Sequence, residues 1–200
     1  MLIRWTLLCA LAFTAATPAH ADASAEDLIR QLSVEVIDAV KTDKAIQGGD
    51  VSRIISLVDA KVMPQVNFPL MTRNAVGRRW NEASPEQQKQ LQELFKQLLV
   101  RSYSGALTQV KNQTVEMKPP TLKLSDTEVE VRTVVVGGQE PIPLAYRLEK
   151  STGSWKIYNV NVLGAWLVDN YRTVFTQQLS AGGIPGLINY LTERNKGAKS

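Results

Sequence analysis

Histidine and cysteine are almost missing from this 200-residue chain, which holds one of each, His20 and Cys9. Both fall in Met1 to Ala21, where Arg4, an apolar run from Trp5 to Ala16 and the closing Ala19-His20-Ala21 form the pattern of a secretory signal peptide cleaved after Ala21. The run is too short to span a bilayer, which takes about 20 apolar residues. Its removal leaves residues 22–200 with neither residue type, which excludes cysteine nucleophiles, histidine bases, Ser-His-Asp triads and the common zinc sites. No disulfide can staple such an exported chain, so its core alone must hold it. Thr6-Leu7-Leu8-Cys9 lacks the small residue that precedes cysteine in a bacterial lipoprotein signal, and no lipid anchor is expected.

Charge is also scarce. Lysine and arginine number 23 against 19 acidic residues, a net charge of +4, far from the dense basic stripes that nucleic acid demands. Gly182-Gly183-Ile184-Pro185-Gly186 lacks the Lys and Ser/Thr of a phosphate loop and reads as a hinge, so the chain has no means of using ATP. Repeats, low-complexity tracts and long linkers are absent, which favours one domain over 22–200.

Helical signals come first. Ser24 caps a predicted helix with Leu28, Leu32, Val36 and Val40 on one side, and Gly48-Gly49 end that region. Asp50 opens a second helix with Ile54, Ile55, Val58 and Val62 buried, which Pro64 should stop. A shorter segment follows Phe68-Pro69 to Trp80. Ser84-Pro85-Glu86-Gln87 is a capping box with proline at the first helical position, opening a helix to Val110 whose wide apolar face (Leu91, Leu94, Phe95, Leu98, with Leu99, Tyr103 and Ala106 beside it) predicts burial against several elements.

From Thr114 the period becomes two. Val129, Val131, Thr133 and Val135 alternate with Glu128, Glu130 and Arg132; a turn at Gly137-Gly138-Gln139-Glu140 leads to Ile142, Leu144, Tyr146 and Leu148 opposite Arg147 and Glu149; a third strand runs from Trp155 to Val162 and Gly164 closes the sheet. Helices are predicted over Leu167 to Leu179 and Pro185 to Arg194. The expected class is α+β, helices on a twisted antiparallel sheet.

Val76-Gly77-Arg78-Arg79-Trp80, Ala83-Ser84-Pro85-Glu86-Gln87, the Leu94-Phe95 to Tyr103 helix, Trp155-Lys156-Ile157-Tyr158-Asn159-Val160, Gly164, Asn170-Tyr171-Arg172 and Gly186-Leu187-Ile188, in that order after a signal peptide, resemble the MlaC family, also described as toluene-tolerance proteins and ABC-transporter auxiliary components. The resemblance covers nearly the whole mature chain. It implies an NTF2-like cone enclosing an apolar pocket, a periplasmic location and a monomeric, non-enzymatic carrier whose cargo is phospholipid, with no cofactor and no metal. It further implies partners at both membranes, an outer-membrane lipoprotein and porin complex and an inner-membrane ABC transporter with an MCE-domain protein, and a role in outer-membrane lipid asymmetry. Three positions depart from the family pattern. Asn67 and Asn159 stand where Asp is frequent and should keep a backbone-bonding role, and Trp166 replaces a small polar residue after Gly164-Ala165, where its bulk would reshape the pocket or its mouth.

The physics of such a carrier is demanding. Exposing two acyl chains of about 16 carbons, roughly 30 methylenes at about 0.8 kcal/mol each, would cost roughly 24 kcal/mol. An apolar cavity near the upper end of about 300 to 1,000 Å³ is needed instead. On the resemblance, its expected wall comprises Val66, Phe68, Met71 and Val76 ahead of the long helix; Leu98 and Tyr103 on it; Val129, Val131, Val135, Ile142, Leu144, Tyr146, Leu148 and Val160 from the strands; and Trp166 and Tyr171 beyond them. Periodicity alone reads the strand residues as solid core. Trp80 and Trp155 read as packing residues, Arg172 as structurally paired, and Arg78, Arg79 and Lys89 as cations available to steer docking. Two other readings stand beside the carrier: an NTF2-like isomerase or dehydratase acting on an apolar substrate, for which Asp169 near Tyr171 is the pair to examine, and a periplasmic adaptor with a filled core.

Overall fold

The structure, a computed structural model, describes residues 24–151 and 153–197. The expected signal peptide, with Cys9 and His20, lies outside the described residues. Helix α1 (Ala25–Thr42) starts where the Ser24 hydroxyl accepts from the Asp27 N–H. A short α2 (Lys44–Gln47) precedes α3 (Val51–Leu57), whose first turn is capped by Asp50. Pro64 does not end α3 cleanly: the chain widens into a π-helical turn (Val58–Val62) and then tightens into a 3-10 turn (Met63–Gln65) containing the proline. Proline has no N–H and crowds the carbonyl four residues back, so the ladder is disturbed a full turn before it.

Helix α4 (Phe68–Val76) leads through a 3-10 segment (Gly77–Glu82) to α5 (Pro85–Thr108), where both halves of the Ser84–Gln87 capping box are formed and the helix ends short of the expected Val110. The sheet is antiparallel, with more strands than the three long ones expected: β1 (Thr114–Met117), β2 (Leu122–Lys123), β3 (Glu128–Val136), β4 (Ile142–Ser151), β5 (Ser154–Val162) and β6 (Ala165–Trp166). Its order is β1-β3-β4-β5-β6, with β2 also on β3. Gly164 therefore turns the chain into an edge strand and does not close the sheet. The last span, α6 (Leu167–Gly197), is two helices that meet at a kink where Gly183 leaves helical geometry (φ 63°), so the break expected at Ala181-Gly182-Gly183 is present. Arg79 Nη1 donates to the Leu179 carbonyl four residues ahead of that kink, at 2.5 Å, while the rest of its guanidinium grips Glu82. Its contacts make Arg79 a brace for α6, not a free docking cation.

The sheet's two faces differ. A bulge at Tyr158, between the pairs Arg147–Asn159 and Leu148–Ile157, shifts the phase of β5 so that Ile157, Val160 and Val162 all share the inner face with Leu144, Tyr146 and Leu148. On the outer face Glu130 sits between Arg132 (2.8 Å) and Arg147 (3.7 Å), and the Arg147 guanidinium lies 4.0 Å from the centre of the Trp166 ring.

Three packed clusters hold the helices to one another and to that inner face. The largest joins α4, α5 and α6 around Phe95, whose ring lies 5.8 Å from Phe68 and edge-on to Tyr171 and Phe175 at 5.0 and 5.2 Å. A second seats Ala25 and Ile29 of α1 on Val131, Leu148 and Ile157, with Trp155 at its margin, and a third joins Val40, Ile46, Ile54 and Val100 at the far end of α1. Two asparagines stitch sheet to helices. Asn67 caps α4 through Leu70 N–H and donates to Glu149 at 2.6 Å; Asn159, buried, accepts from Val160 N–H and from Val168 N–H in the first turn of α6. Both keep the backbone-bonding role foreseen for them. Asn159→Ala should deprive the buried Val168 N–H and the half-buried Val160 N–H of this acceptor and lower stability by about 1–2 kcal/mol in denaturant unfolding, while Asn159→Asp, which keeps the acceptor, should lose less.

Candidate lipid-binding cavity

Between the three clusters the helices stand off from the sheet and leave a cavity of about 450 Å³. Its wall is built from Ile29, Leu32, Val36 and Ile37 of α1; Ile54, Leu57, Val58, Val62 and Met63 of α3 and the turns after it; Leu99, Val100, Tyr103 and Leu107 of α5; and Val135, Ile142, Leu144, Tyr146, Ile157, Val160 and Val162 of the sheet. The wall is almost entirely aliphatic, and its only charged member is Lys96. The Lys96 ammonium bonds Asp59 and Glu93, each at 2.9 Å, which places its methylenes on the wall and its charge at the surface. Burial by itself would lower the Lys96 pKa, but the two carboxylates outweigh it and raise it, so the group stays charged. No carboxylate belongs to the wall.

The structure brings together Val66, Phe68, Met71, Tyr103, Val135, Ile142, Leu144, Tyr146 and Val160 of the expected wall. The others lie elsewhere, for identifiable reasons. Val129, Val131 and Leu148 are covered by the first turns of α1, which fill the sheet's other half solidly. Val76 and Leu98 are buried in the α4–α5–α6 cluster, and Tyr171 packs on Phe95 and Phe175 there. Trp166 pairs with Asn161, faces the outer side under Arg147, and so does not shape the pocket. Because α1 occupies half of the sheet, the cavity, at about 450 Å³, falls short of the expected volume near the upper end of the range of about 300 to 1,000 Å³. The sequence reading missed the α1 and α3 contributions, although the broad stripe Leu28, Ile29, Leu32, Val36, Ile37 was visible; it also missed Ile157 and Val162, for which the break in alternation at Tyr158-Asn159 was the available signal.

Polar groups are few and specifically placed. Tyr103 is 38% exposed while lining the cavity, and so is Ile142 at 36%, which marks the opening between α5 and the start of β4. Deeper in, the Tyr146 hydroxyl faces Thr133 and Ser33. Thr133 Oγ1 is buried without a hydrogen bond of normal geometry. Asp169, the acid considered beside Tyr171, is exposed in the first turn of α6, and Arg172 donates to the Asn74 carbonyl at 2.8 Å.

The geometry is that of an apolar container. The profile of the MlaC protein family matches residues 30–193. The chain belongs to the MlaC family. Among its relatives is a phospholipid-binding protein from Ralstonia solanacearum, solved in complex with a phospholipid, which is 41% identical and superposes with a TM-score of 0.85 over 90% of this chain and 100% of that one. The intermembrane phospholipid transport system binding protein MlaC of Haemophilus influenzae is 22% identical over 187 residues, 91% of this chain and 87% of its own length. The toluene tolerance protein ttg2D of Pseudomonas putida is 25% identical over 160 residues, 78% of this chain and 74% of its own. Within the MlaC fold the apolar wall has a titratable reporter, because burial pushes the Tyr146 phenol above the ordinary tyrosine pKa against the smaller opposing effects of Thr133 and Ser33. The folded protein thus holds this proton more tightly than the unfolded chain does, so stability should be intact below about pH 10 and fall as pH rises above it. Burial also raises Tyr103 and Tyr158, so an alkaline titration followed by ultraviolet absorbance should show several late-ionising tyrosines, one of which disappears in Tyr146→Phe.

Proposed function

We infer that this chain is a phospholipid carrier of the space between two membranes, its acyl chains held in the cavity between α1, α3, α5 and the sheet. The observation that carries this reading is the wall itself: some 450 Å³ enclosed by aliphatic side chains, with its single cation turned outward, on a fold shared at 41% identity with a protein solved in complex with a phospholipid. Water in such a space has almost nothing to bond, whereas methylenes placed there avoid a hydration cost of about 0.8 kcal/mol each. The nine wall residues foreseen in the sequence are the lipid contacts on this reading, joined by those of α1 and α3.

No catalysis is needed for carriage. An isomerase or dehydratase would want an acid or base aimed into the pocket, and the wall's residues offer no carboxylate; Glu130 is turned to Arg132 and Arg147 on the far side of the sheet. A filled-core adaptor would not leave this volume between three packed clusters. The carrier reading includes the signal peptide cleaved after Ala21, a single mature domain over 22–200, a periplasmic and monomeric protein, and delivery between an outer-membrane lipoprotein and porin complex and an inner-membrane ABC transporter with an MCE-domain protein. Among the described residues no helix is long and apolar enough to cross a membrane.

Solvent extraction of the purified protein followed by mass spectrometry tests the reading. The wild type should yield bound phospholipid. Leu144→Asp, with its charge on the cavity wall, should fold as judged by circular dichroism and carry several-fold less, because an unpaired carboxylate there opposes acyl chains. Val131→Asp, with its charge in the solid cluster under α1, should instead lose stability by several kcal/mol. A folded Leu144→Asp protein with undiminished phospholipid would contradict the assignment.

A further inference from the structure

The turn between β5 and β6 carries two features that stability alone disfavours. Leu163 is the only non-glycine residue with positive φ (53°) among the described residues, and at 67% exposure it is also the most exposed of the large hydrophobics there. With Gly164 at φ 90° and Val162 paired to Ala165, it forms a two-residue hairpin loop of the type in which Asn-Gly is the favoured pair. A leucine in this position bears backbone strain and holds its side chain in water. The turn is nonetheless rigidly tied: Gly164 N–H donates to Asn161 Oδ1 at 2.9 Å, and Leu163 N–H donates to the Pro143 carbonyl at 3.2 Å. That second bond sets the Leu163 backbone one residue along from Ile142, an exposed member of the cavity wall, and Leu163 itself follows directly on Val162 of that wall.

Resting on the carrier reading, we propose that Leu163 is a preformed apolar knob that docks into a concave, uncharged seat on a protein partner at the cavity opening, so that the acyl chains pass across without meeting water. The chemistry around it selects a protein over a bilayer. Anionic membrane surfaces are met by clusters of lysine and arginine beside the inserting residues, yet segments Thr133 to Tyr146 and Tyr158 to Tyr171 carry only Glu140 and Asp169, and the arginines that border them are engaged, Arg132 and Arg147 with Glu130 and Arg172 with the Asn74 carbonyl. A backbone fixed in one geometry suits a shaped pocket, where pre-ordering lowers the entropic cost of binding; a fluid bilayer gains nothing from it.

The test uses the full mature protein, loaded with a fluorescent phospholipid, and Leu163→Asn, which places Asn-Gly in the turn. Acceptors are envelope membranes of the source organism, the same membranes after protease digestion, and protein-free vesicles of phosphatidylethanolamine and phosphatidylglycerol. Leu163→Asn should melt at a higher temperature, retain the lipid content of the wild type, and deliver to untreated membranes about tenfold more slowly, as the loss of one buried leucine implies. On digested membranes and on vesicles the two proteins should match. Equal delivery to untreated membranes would overturn the proposal, and so would an equal slowing on vesicles, which would assign the knob to the bilayer surface. A wild type that holds no phospholipid would instead overturn the cavity reading, and the docking proposal with it.

Discussion

A hollow in a protein of this size exists only if something rigid keeps its walls from collapsing. Here that constraint is met by the packing around Phe95. Its contacts with Phe68, Tyr171 and Phe175 bind α4, α5 and α6 into one block, while α1 is pinned to the sheet at Ile29 and to α2, α3 and α5 at Val40. Helices fixed at these three places cannot close onto Leu144, Tyr146 and Val160. Apolar surface that would otherwise be buried against protein stays uncovered, and on the carrier reading part of the hydrophobic stabilisation of the fold is withheld until cargo supplies it.

The local irregularities all serve that spacing. The π-helical turn before Pro64 lets Val58 and Val62 face the cavity as the chain passes from α3 to α4. The bulge at Tyr158 lets one strand contribute Ile157 to the solid cluster under α1 and, past the phase shift, Val160 and Val162 to the rest of the inner face. Lys96 closes the wall with its methylenes and, through Asp59, ties α5 to the π-helical turn on the outside. Such exposed ion pairs contribute little stability each. Their effect is to position the segment.

Much of the fold was legible because its signals are local. Ser24, Asp50 and the Ser84–Gln87 box act through hydrogen bonds with N–H groups three residues away, and the alternation in β3 and β4 records which side of the sheet is wet. The cavity was less legible, for a physical reason. Val131 and Val135 stand on the same face of β3 with the same periodicity, yet the first is packed under α1 and the second lines the hollow. An apolar side chain leaves the same mark on the sequence whether its neighbour is a leucine or an acyl chain. Trp166 misled in the opposite way, since its size suggested the pocket whereas register with Asn161 puts it over Arg147 on the other face.

The account stands or falls on what the cavity holds. A crystal structure of the protein loaded with a phospholipid whose acyl chains carry bromine would locate those chains directly. The account predicts anomalous peaks inside the wall formed by Leu99, Tyr146 and Val160, with the head group at the Tyr103–Ile142 opening. Bromine found only on the outer surface, beside an unfilled cavity, would contradict it.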